Sequence, residues 1–197
     1  MTAPRRLVLA SASPRRQEIL RRAGIDFEIA VSDAEDSVAT RGAPRAVALA
    51  GARLKARDVA SRMPGRLVVG ADTVVAVGRH VLGKPADAAA ARRMLELLSG
   101  RCHEVHTAFA VVRGGEDTVL AEGCETSAVT FRVLDAATIA AYVASGDPLD
   151  KAGAYGIQSG GAALVAEVIG SYLNVVGLPL ARLLQTLAEV DRPGGLT

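Results

Sequence analysis

Three short stretches of this chain combine residue types that suit phosphate chemistry. The stretch SASPRR follows the apolar run LVLA and precedes a helix-like run, which places Ser11, Arg15 and Arg16 at the start of a helix. Backbone N–H groups at a helix N-terminus bind anions, and planar guanidinium groups match phosphate oxygens. Cations at this end of a helix are otherwise disfavoured. The pattern therefore predicts a bound polyphosphate, with a solvated pair of surface arginines as the alternative.

The second and third stretches supply a carboxylate and a lysine. Asp72 interrupts the apolar run RLVVGADTVVAV, where a buried and unpaired carboxylate would be costly or protonated. We therefore expect Asp72 at a strand end beside a cation, a metal or a substrate, with a capping or turn role as the alternative. Lys84 lies between Gly83 and Pro85. A backbone held between glycine and proline suits a lysine whose charge points in a fixed direction. A solvated surface lysine is the alternative interpretation.

Lysine is scarce, and an acidic loop adds oxygen ligands. Only three of the 23 basic residues are lysines, namely Lys55, Lys84 and Lys151. A retained lysine indicates a need for a compact ammonium group, although chance placement accounts for it equally well. The loop DAEDS contains Glu35 between two aspartates. Carboxylates of this kind hold Mg²⁺ together with substrate phosphates, but such loops are also commonly just solvated.

The composition narrows the class of protein. The chain has 197 residues, half of them hydrophobic, so we expect one compact domain over residues 1–197 with an aliphatic core. A net charge of +2 does not favour bulk nucleic-acid binding, which uses a strong basic patch. Cys102 and Cys124 lack metal-ligand spacing, and no apolar run reaches the length of a membrane span. These features predict a soluble, cytoplasmic protein with reduced thiols.

Apolar periodicity predicts alternating strands and helices. Helix 44–63 should direct Val47, Leu49 and Leu54 inwards. Two long strands joined by RGGE predict an antiparallel hairpin within an α/β mixed sheet with flanking helices. Residues 170–179 are expected to form a loop. The remaining predicted strands are 7–11, 27–32, 66–77 and 164–170, and the remaining helices begin near 14 and span 86–98, 135–145 and 179–190.

Taken together, the motifs resemble the Maf family of nucleoside triphosphate pyrophosphatases, also called septum formation inhibitors. The resemblance rests on LASASPRRQEIL, VVGADTVVAV, LGKPADAAAARRMLELLSG, DPLDKAGAYGIQ and GSYLNVVGLPL, and it runs in register over about residues 7–187. It implies two lobes around a nucleotide cleft, as in the inosine triphosphate pyrophosphatases. It further implies hydrolysis of a nucleoside triphosphate to monophosphate and diphosphate with a divalent cation (Mg²⁺ or Mn²⁺), and a homodimer without stable nucleic-acid binding.

The resemblance also implies roles for individual residues. Arg15, Thr73 and Gln158 carry the residue types of the branch that acts on dTTP and UTP, whereas the sister branch has Trp, Gln and Glu there and favours 7-methyl-GTP. Ala12 and the SGGAA text after Gln158 depart modestly from the common pattern. A non-catalytic regulator of septation that binds nucleotide or nucleic acid remains the alternative. The implied roles are catalysis for Asp72, Lys84 and Lys55, phosphate binding for Ser11, Arg15 and Arg16, and metal binding for Glu35 and Asp72.

Overall fold

Strands and helices alternate along the chain and build a mixed sheet with helices on both faces. The computed structural model describes residues 7–34 and 42–190. The strands are β1 (Leu7–Ala10), β2 (Phe27–Ile29), β3 (Leu67–Val77), β4 (His80–Leu82), β5 (Cys102–Arg113), β6 (Val119–Phe131) and β7 (Val165–Ile169). The helices are α1 (Pro14–Arg22), α2 (Pro44–Ala60), α3 (Ala88–Leu98), α4 (Ala136–Ala144), α5 (Tyr172–Val176) and α6 (Leu180–Val190). The predicted α/β class with a mixed sheet is confirmed.

The strand order leaves a gap beside β3. The order is β2-β1-β3-β5-β6-β7, with β1 parallel to β2 and β3 and the remaining pairings antiparallel. One edge of β3 is covered by β5 over residues 67–76. The other edge pairs with β1 up to Gly70 and with β4 from Val75 onwards. Between them, residues 71–74 have no strand beside them on this edge, within the part of the chain that the structure describes.

The two faces of the sheet carry side chains of different size. Leu7 and Leu9 of β1 face a core that also contains Phe109, while Val8 and Ala10 alternate onto the opposite face. Helices α1, α3, α4 and α6 pack on the first face through leucine, isoleucine and tyrosine side chains. Helix α2 covers the opposite face, where alanines predominate on the helix and valines and alanines line the sheet. Small residues on both sides allow the helix to lie unusually close to the sheet.

The closest approach is between α2 and β3. A Cβ atom built on Gly70 would lie 2.3 Å from the carbonyl oxygen of Ala52 and 2.5 Å from the backbone nitrogen of Ala56. The inner face of α2 consists mainly of small residues, and the prediction of Leu54 there is wrong because its side chain is exposed. Val47 is buried as expected, and Leu49 is partly buried. A large side chain on this face would push α2 away from the sheet.

Helix α2 ends at Ala60 rather than at residue 63, and two further differences from the predictions have local reasons. Strand β2 ends at Ile29 rather than at residue 32, because its partner β1 is only four residues long. Residues 170–179 contain the short helix α5 instead of a continuous loop. The Ser171 hydroxyl accepts a hydrogen bond from the backbone N–H of Asn174 at 3.2 Å and so caps this helix. No helix within residues 7–34 and 42–190 is long and apolar enough to cross a membrane.

A buried histidine lies in an aromatic cluster behind the Gly-rich segment 150–162. The rings of His103, Phe131 and Tyr155 meet edge to face at centroid distances of 4.7–5.4 Å. A hydrogen bond of 2.9 Å joins His103 Nε2 and the Tyr155 hydroxyl. Burial lowers the pKa of His103 from 6.5 to about 4, because a charged imidazolium would lose its hydration there. His103 is therefore neutral in the folded protein at neutral pH.

This pKa predicts a specific loss of stability in acid. Between pH 6.5 and about 4 the unfolded chain protonates this histidine and the folded chain does not, so the free energy of unfolding falls as pH falls and then levels off. The wild-type protein should lose about 3 kcal/mol more than His103→Gln over this interval, measured by urea unfolding. The control is His80→Gln at an exposed position, which should follow the wild type. Equal slopes for wild type and His103→Gln would contradict the prediction.

Candidate active site

A cleft of about 510 Å³ opens at the gap beside β3. Its walls come from the segment between β1 and α1, from α2 and β3, from the turn after β4, and from the Gly-rich segment 150–162. Among the described residues that line it, positive charge exceeds negative charge. The basic lining residues are Arg15, Arg16, Lys55, Lys84 and Lys151, and the acidic ones are Asp72 and Asp150. Such an excess favours a polyanionic ligand.

An aspartate–lysine pair lies on the floor of the cleft. Lys55 Nζ donates a hydrogen bond to Asp72 Oδ1 at 2.8 Å, and the two side chains are 5% and 16% exposed. Asp72 is not at the end of its own strand, as the sequence analysis expected, but in the middle of β3. It lies two residues beyond Gly70, where the neighbouring strand β1 ends. The end of β1 therefore opens the sheet at this carboxylate, and the expected cation beside it is Lys55.

The second oxygen of this carboxylate fits against a glycine of α2. A Cβ atom on Gly51 would lie 2.4 Å from Asp72 Oδ2 and 2.7 Å from Asp72 Cγ. Gly51 and Lys55 are four residues apart and therefore lie on the same face of the helix. Gly51 leaves space for Asp72 Oδ2, and Lys55 binds Asp72 Oδ1. The close packing of α2 on β3 thus fixes both sides of the Asp72 carboxylate.

Arg16 is buried and bound to protein groups on three elements. Its Nε donates to the carbonyl of Gly177 at 2.8 Å, and its two terminal nitrogens donate to Ser11 Oγ and Thr73 Oγ1 at 3.0 Å each. Ser11 is also buried, and its oxygen accepts a second hydrogen bond from the backbone N–H of Ser13. Ser13 occupies the N-cap position of α1 but makes no side-chain cap bond. Ser11 and Arg16 are thus tied together beneath the start of α1.

Thr73 connects Arg16 to the interior of the sheet. The Thr107 hydroxyl donates to the carbonyl of Asn174 at 2.8 Å, so the 3.0 Å bond between the two threonine hydroxyls uses the proton of Thr73. Asn174 is fully buried and donates in turn to the carbonyl of Val105 and to Ser127 Oγ. The Thr73 hydroxyl therefore donates to Thr107 and accepts from Arg16. Its predicted influence on the base would act through the position of Arg16.

The remaining predicted residues lie around the rim. Arg15 lines the cleft and forms an ion pair of 3.6 Å with Asp150. Lys84 is exposed on the turn after β4, and Gln158 is exposed on the Gly-rich segment, with both lining the cleft. Glu35 lies outside the described residues. The structure thus brings Arg15, Arg16, Lys55, Asp72, Thr73, Lys84 and Gln158 to one cleft, with Ser11 beneath it.

The carboxylate of Asp72 fits one ligand of a divalent cation. Oxygen ligands suit Mg²⁺ and Mn²⁺, and Mg²⁺ commonly takes one or two carboxylates, with waters and substrate phosphates completing its shell. Residues 7–34 and 42–190 contain no group of three or more His, Cys, Asp or Glu side chains arranged to hold a metal. The described side chains therefore fit a cation that arrives with a phosphate ligand better than one held by the protein alone.

Three supporting residues were not singled out in the sequence analysis. Gly51 leaves space for Asp72, while Thr107 and Asn174 hold Thr73. The signal for Gly51 was present, because a glycine inside an Ala-rich helix lowers helix propensity and calls for a packing reason. Thr107 and Asn174 carried no local signal, since these two residues bind each other across 67 positions of the chain.

The Maf-like protein family matches residues 6–190. This chain belongs to that family. It is 49% identical over 187 residues to the dTTP/UTP pyrophosphatase of Symbiobacterium thermophilum, with 95% of each chain covered. It is 53% identical over 186 residues to the dTTP/UTP pyrophosphatase of Moorella thermoacetica, covering 93% of this chain and 94% of that one.

Similarity to solved structures is weaker. The chain aligns with a nucleoside-triphosphatase / dITP/XTP pyrophosphatase from Mycobacterium abscessus at a TM-score of 0.46 and 20% identity, covering 96% of this chain and all of that one. It aligns with a HAM1 protein from Coxiella burnetii at a TM-score of 0.49 and 20% identity, covering 93% and 98%. The fold of this chain therefore follows from its own strand order and helices.

The packing of Gly51 against Asp72 predicts an energetic coupling between the two positions. Gly51→Ala should destabilise the protein, because overpacking costs about 1–3 kcal/mol and outweighs the gain of up to ~1 kcal/mol in helix propensity. In an Asp72→Ala background the cost should shrink, since the atoms of the closest clash are gone. The free energies of unfolding of the wild type, Gly51→Ala, Asp72→Ala and the double variant form the double-mutant cycle.

The matched control for this cycle is Ala50→Gly at the adjacent, exposed helix position. It should cost up to about 1 kcal/mol equally in both backgrounds, because it changes only helix propensity. Equal costs of Gly51→Ala with and without the Asp72 carboxylate would contradict the assignment of this contact.

Proposed function

We propose that this Maf-like chain hydrolyses nucleoside triphosphates, preferably dTTP and UTP, to the nucleoside monophosphate and diphosphate. The observation that carries the proposal is the Asp72–Lys55 pair on the floor of a cleft whose described walls are rich in cations. Relatives about half identical over almost the whole chain are named dTTP/UTP pyrophosphatases. These names do not favour the alternative of a non-catalytic septation regulator.

The proposed chemistry assigns each charge a task. The Asp72 carboxylate accepts a proton from the attacking water. The oxygen of that water bonds to the α-phosphorus while the bond from this phosphorus to the bridging oxygen of the α–β phosphoanhydride breaks. Diphosphate leaves with the bridging oxygen and its electron pair. Lys55 and Lys84 neutralise the charge that develops on the phosphate oxygens, and Arg15 and Arg16 favour binding of the triphosphate at the start of α1. Positioning and charge stabilisation account for most of the catalysis of such a reaction.

A divalent cation, Mg²⁺ or Mn²⁺, belongs to this proposal. Asp72 would hold it together with the substrate phosphates, and Glu35 is the second ligand predicted from the sequence. When bound, the cation lowers the pKa of a coordinated water and neutralises phosphate charge. Lys55 keeps the Asp72 carboxylate oriented towards the cleft whether or not a cation is bound.

The base preference rests on the residues at the rim. The Gln158 amide offers an acceptor and two donor hydrogens, which match the N3–H and a carbonyl of uracil or thymine. A glutamate there would offer acceptors only, which suits the N1–H and amino edge of guanine. Arg15 would repel the cationic ring of 7-methylguanine, whereas an aromatic side chain would attract it. The homodimer, the cytoplasmic location and the lack of stable nucleic-acid binding remain predictions.

A nucleotide panel tests the proposed function. With Mg²⁺ or Mn²⁺ present, dTTP and UTP should give monophosphate and diphosphate as the initial products, with higher kcat/KM than the other nucleotides, including 7-methyl-GTP. Ion-exchange chromatography of early time points identifies the products. Initial release of orthophosphate would contradict cleavage between the α and β phosphates, and binding without turnover would support the non-catalytic alternative.

The substitution Asp72→Asn tests the proposed role of the carboxylate. The amide keeps the shape but loses the charge, so kcat should fall by about 10²–10⁴, as for other acid–base groups. The matched control is Asp117→Asn, at a side chain that is 93% exposed, which should keep the kcat of the wild type. Thermal unfolding of both variants is measured in parallel, because Lys55 loses its charged partner. A folded Asp72→Asn protein with unchanged kcat would exclude Asp72 from the reaction.

A further inference from the structure

The wall of the cleft that carries Gln158 is built from irregular backbone. Residues 147–150, 152–154 and 160–164 form short 3-10 turns, and the segment between the last two supplies Tyr155, Gly156, Ile157 and Gln158 to the cleft. Segments of this kind lack the hydrogen-bond ladder that fixes a helix or a strand. Their conformation therefore depends on side-chain contacts, and those contacts are unusually dense here.

The contacts begin at Asp147, which binds the Gly-rich segment directly. Its Oδ2 atom accepts hydrogen bonds from the Tyr142 hydroxyl and from Ser159 Oγ, both at 2.6 Å. The Tyr142 oxygen accepts a bond from the backbone N–H of Gly156 at 3.0 Å, and Ser159 Oγ lies 3.1 Å from the Gly156 carbonyl. Both residues that flank Ile157–Gln158, namely Gly156 and Ser159, are therefore tied to one carboxylate.

The same carboxylate is connected to the opposite side of the cleft. Lys151 is buried, and its Nζ donates to Asp147 Oδ1 at 3.0 Å, to the Asp147 carbonyl at 2.6 Å and to Asp150 Oδ1 at 2.6 Å. Asp150 Oδ2 then pairs with Arg15 at 3.6 Å on the first turn of α1. A continuous series of polar contacts thus runs from Arg15 through Asp150, Lys151 and Asp147 to the residues beside Gln158.

Charge and packing are consistent along this series. Burial raises the pKa of Asp147, but hydrogen bonds from Ser159, Tyr142 and Lys151 outweigh it and leave the pKa below its usual value. Two glycines allow the close approach. A Cβ atom on Gly156 would lie 2.5 Å from Lys151 Cε, and one on Gly161 would lie 2.8 Å from the Tyr142 hydroxyl. The segment therefore packs directly against these side chains.

We propose that Tyr142, Asp147, Asp150, Lys151 and Ser159 form a positioning unit that fixes the base-recognising wall of the cleft relative to Arg15. The proposal rests on the proposed function, because it names the residues that position the wall proposed to recognise the nucleotide's base. None of the five is assigned to the hydrolysis step. Loosening the unit should therefore change which base is accepted and leave the Asp72–Lys55 pair intact.

The experiment compares Tyr142→Phe and Ser159→Ala with the wild type and with Ser99→Ala. Ser99 does not line the cleft; its hydroxyl also binds backbone, accepting from the N–H of Leu134 at 2.8 Å, and it serves as the matched control. The kcat/KM values for UTP and GTP give the selectivity, and titration calorimetry with UMP and GMP gives the same ratio without turnover. Thermal unfolding measures stability. Asp150→Asn tests the Arg15 end of the unit.

Tyr142→Phe and Ser159→Ala should each lower the ratio of kcat/KM for UTP to kcat/KM for GTP by about fivefold, the factor that corresponds to one hydrogen bond. The change should appear mainly in KM, and kcat for UTP should stay within about twofold of the wild type. Asp150→Asn should lower the ratio in the same direction. A loss of thermal stability with unchanged selectivity in both assays would overturn the inference and leave a purely structural role. If the wild type hydrolyses no nucleotide, the proposed function fails, and the UMP/GMP binding ratio still decides whether the unit governs recognition.

Discussion

The close packing of α2 on β3 is the constraint on which the candidate site depends. At Gly70, which lies against Ala52 and Ala56 of α2, no side chain larger than a methyl group separates the two elements, so the helix backbone almost touches the strand. At that distance Lys55 reaches Asp72 directly, and Gly51 leaves just enough space for the second carboxylate oxygen. An ordinary leucine-lined helix would lie farther out, and the pair would be separated or bridged by water. The Ala- and Gly-rich composition of α2 therefore sets the geometry of the carboxylate.

The strand order then turns this packed position into an open site. Because β1 pairs only up to Gly70 and β4 pairs only from Val75, the carboxylate faces a gap in the sheet rather than a neighbouring strand. A charged group in the middle of an apolar strand is tolerated there because Asp72 Oδ1 is paired with the Lys55 ammonium group and part of the side chain remains exposed to the cleft. The same gap admits the start of α1, with its arginines. Fold and electrostatics thus converge on one place.

Much of this was predictable from the sequence, and the misses have physical causes. Apolar periodicity predicted the mixed sheet and most elements, and the interruptions SASPRR, GADTVV and LGKP identified residues that the structure brings to one cleft. Leu54 was misplaced because large apolar residues usually mark the inner face of a helix, whereas the inner face of α2 consists mainly of small residues. Helix α5 was missed because five residues carry little periodicity, although Ser171 was a capping signal. The Thr73–Thr107–Asn174 contacts join distant segments, and no local pattern encodes them.

Besides the Asp72–Lys55 pair, the polar contacts of the cleft fall into two groups that are anchored in different parts of the fold. One group centres on Arg16 and Thr73, reaches Asn174, and is anchored in the sheet itself. The other centres on Asp147 and Lys151 and is anchored in 3-10 turns outside the sheet. Regular strands hold their side chains rigidly, whereas the turns owe their shape to a few charged contacts that substitutions can alter. The Asp72–Lys55 pair therefore lies on regular elements, whereas Gln158, which is proposed to recognise the base, lies on a wall that can be rebuilt without moving Asp72.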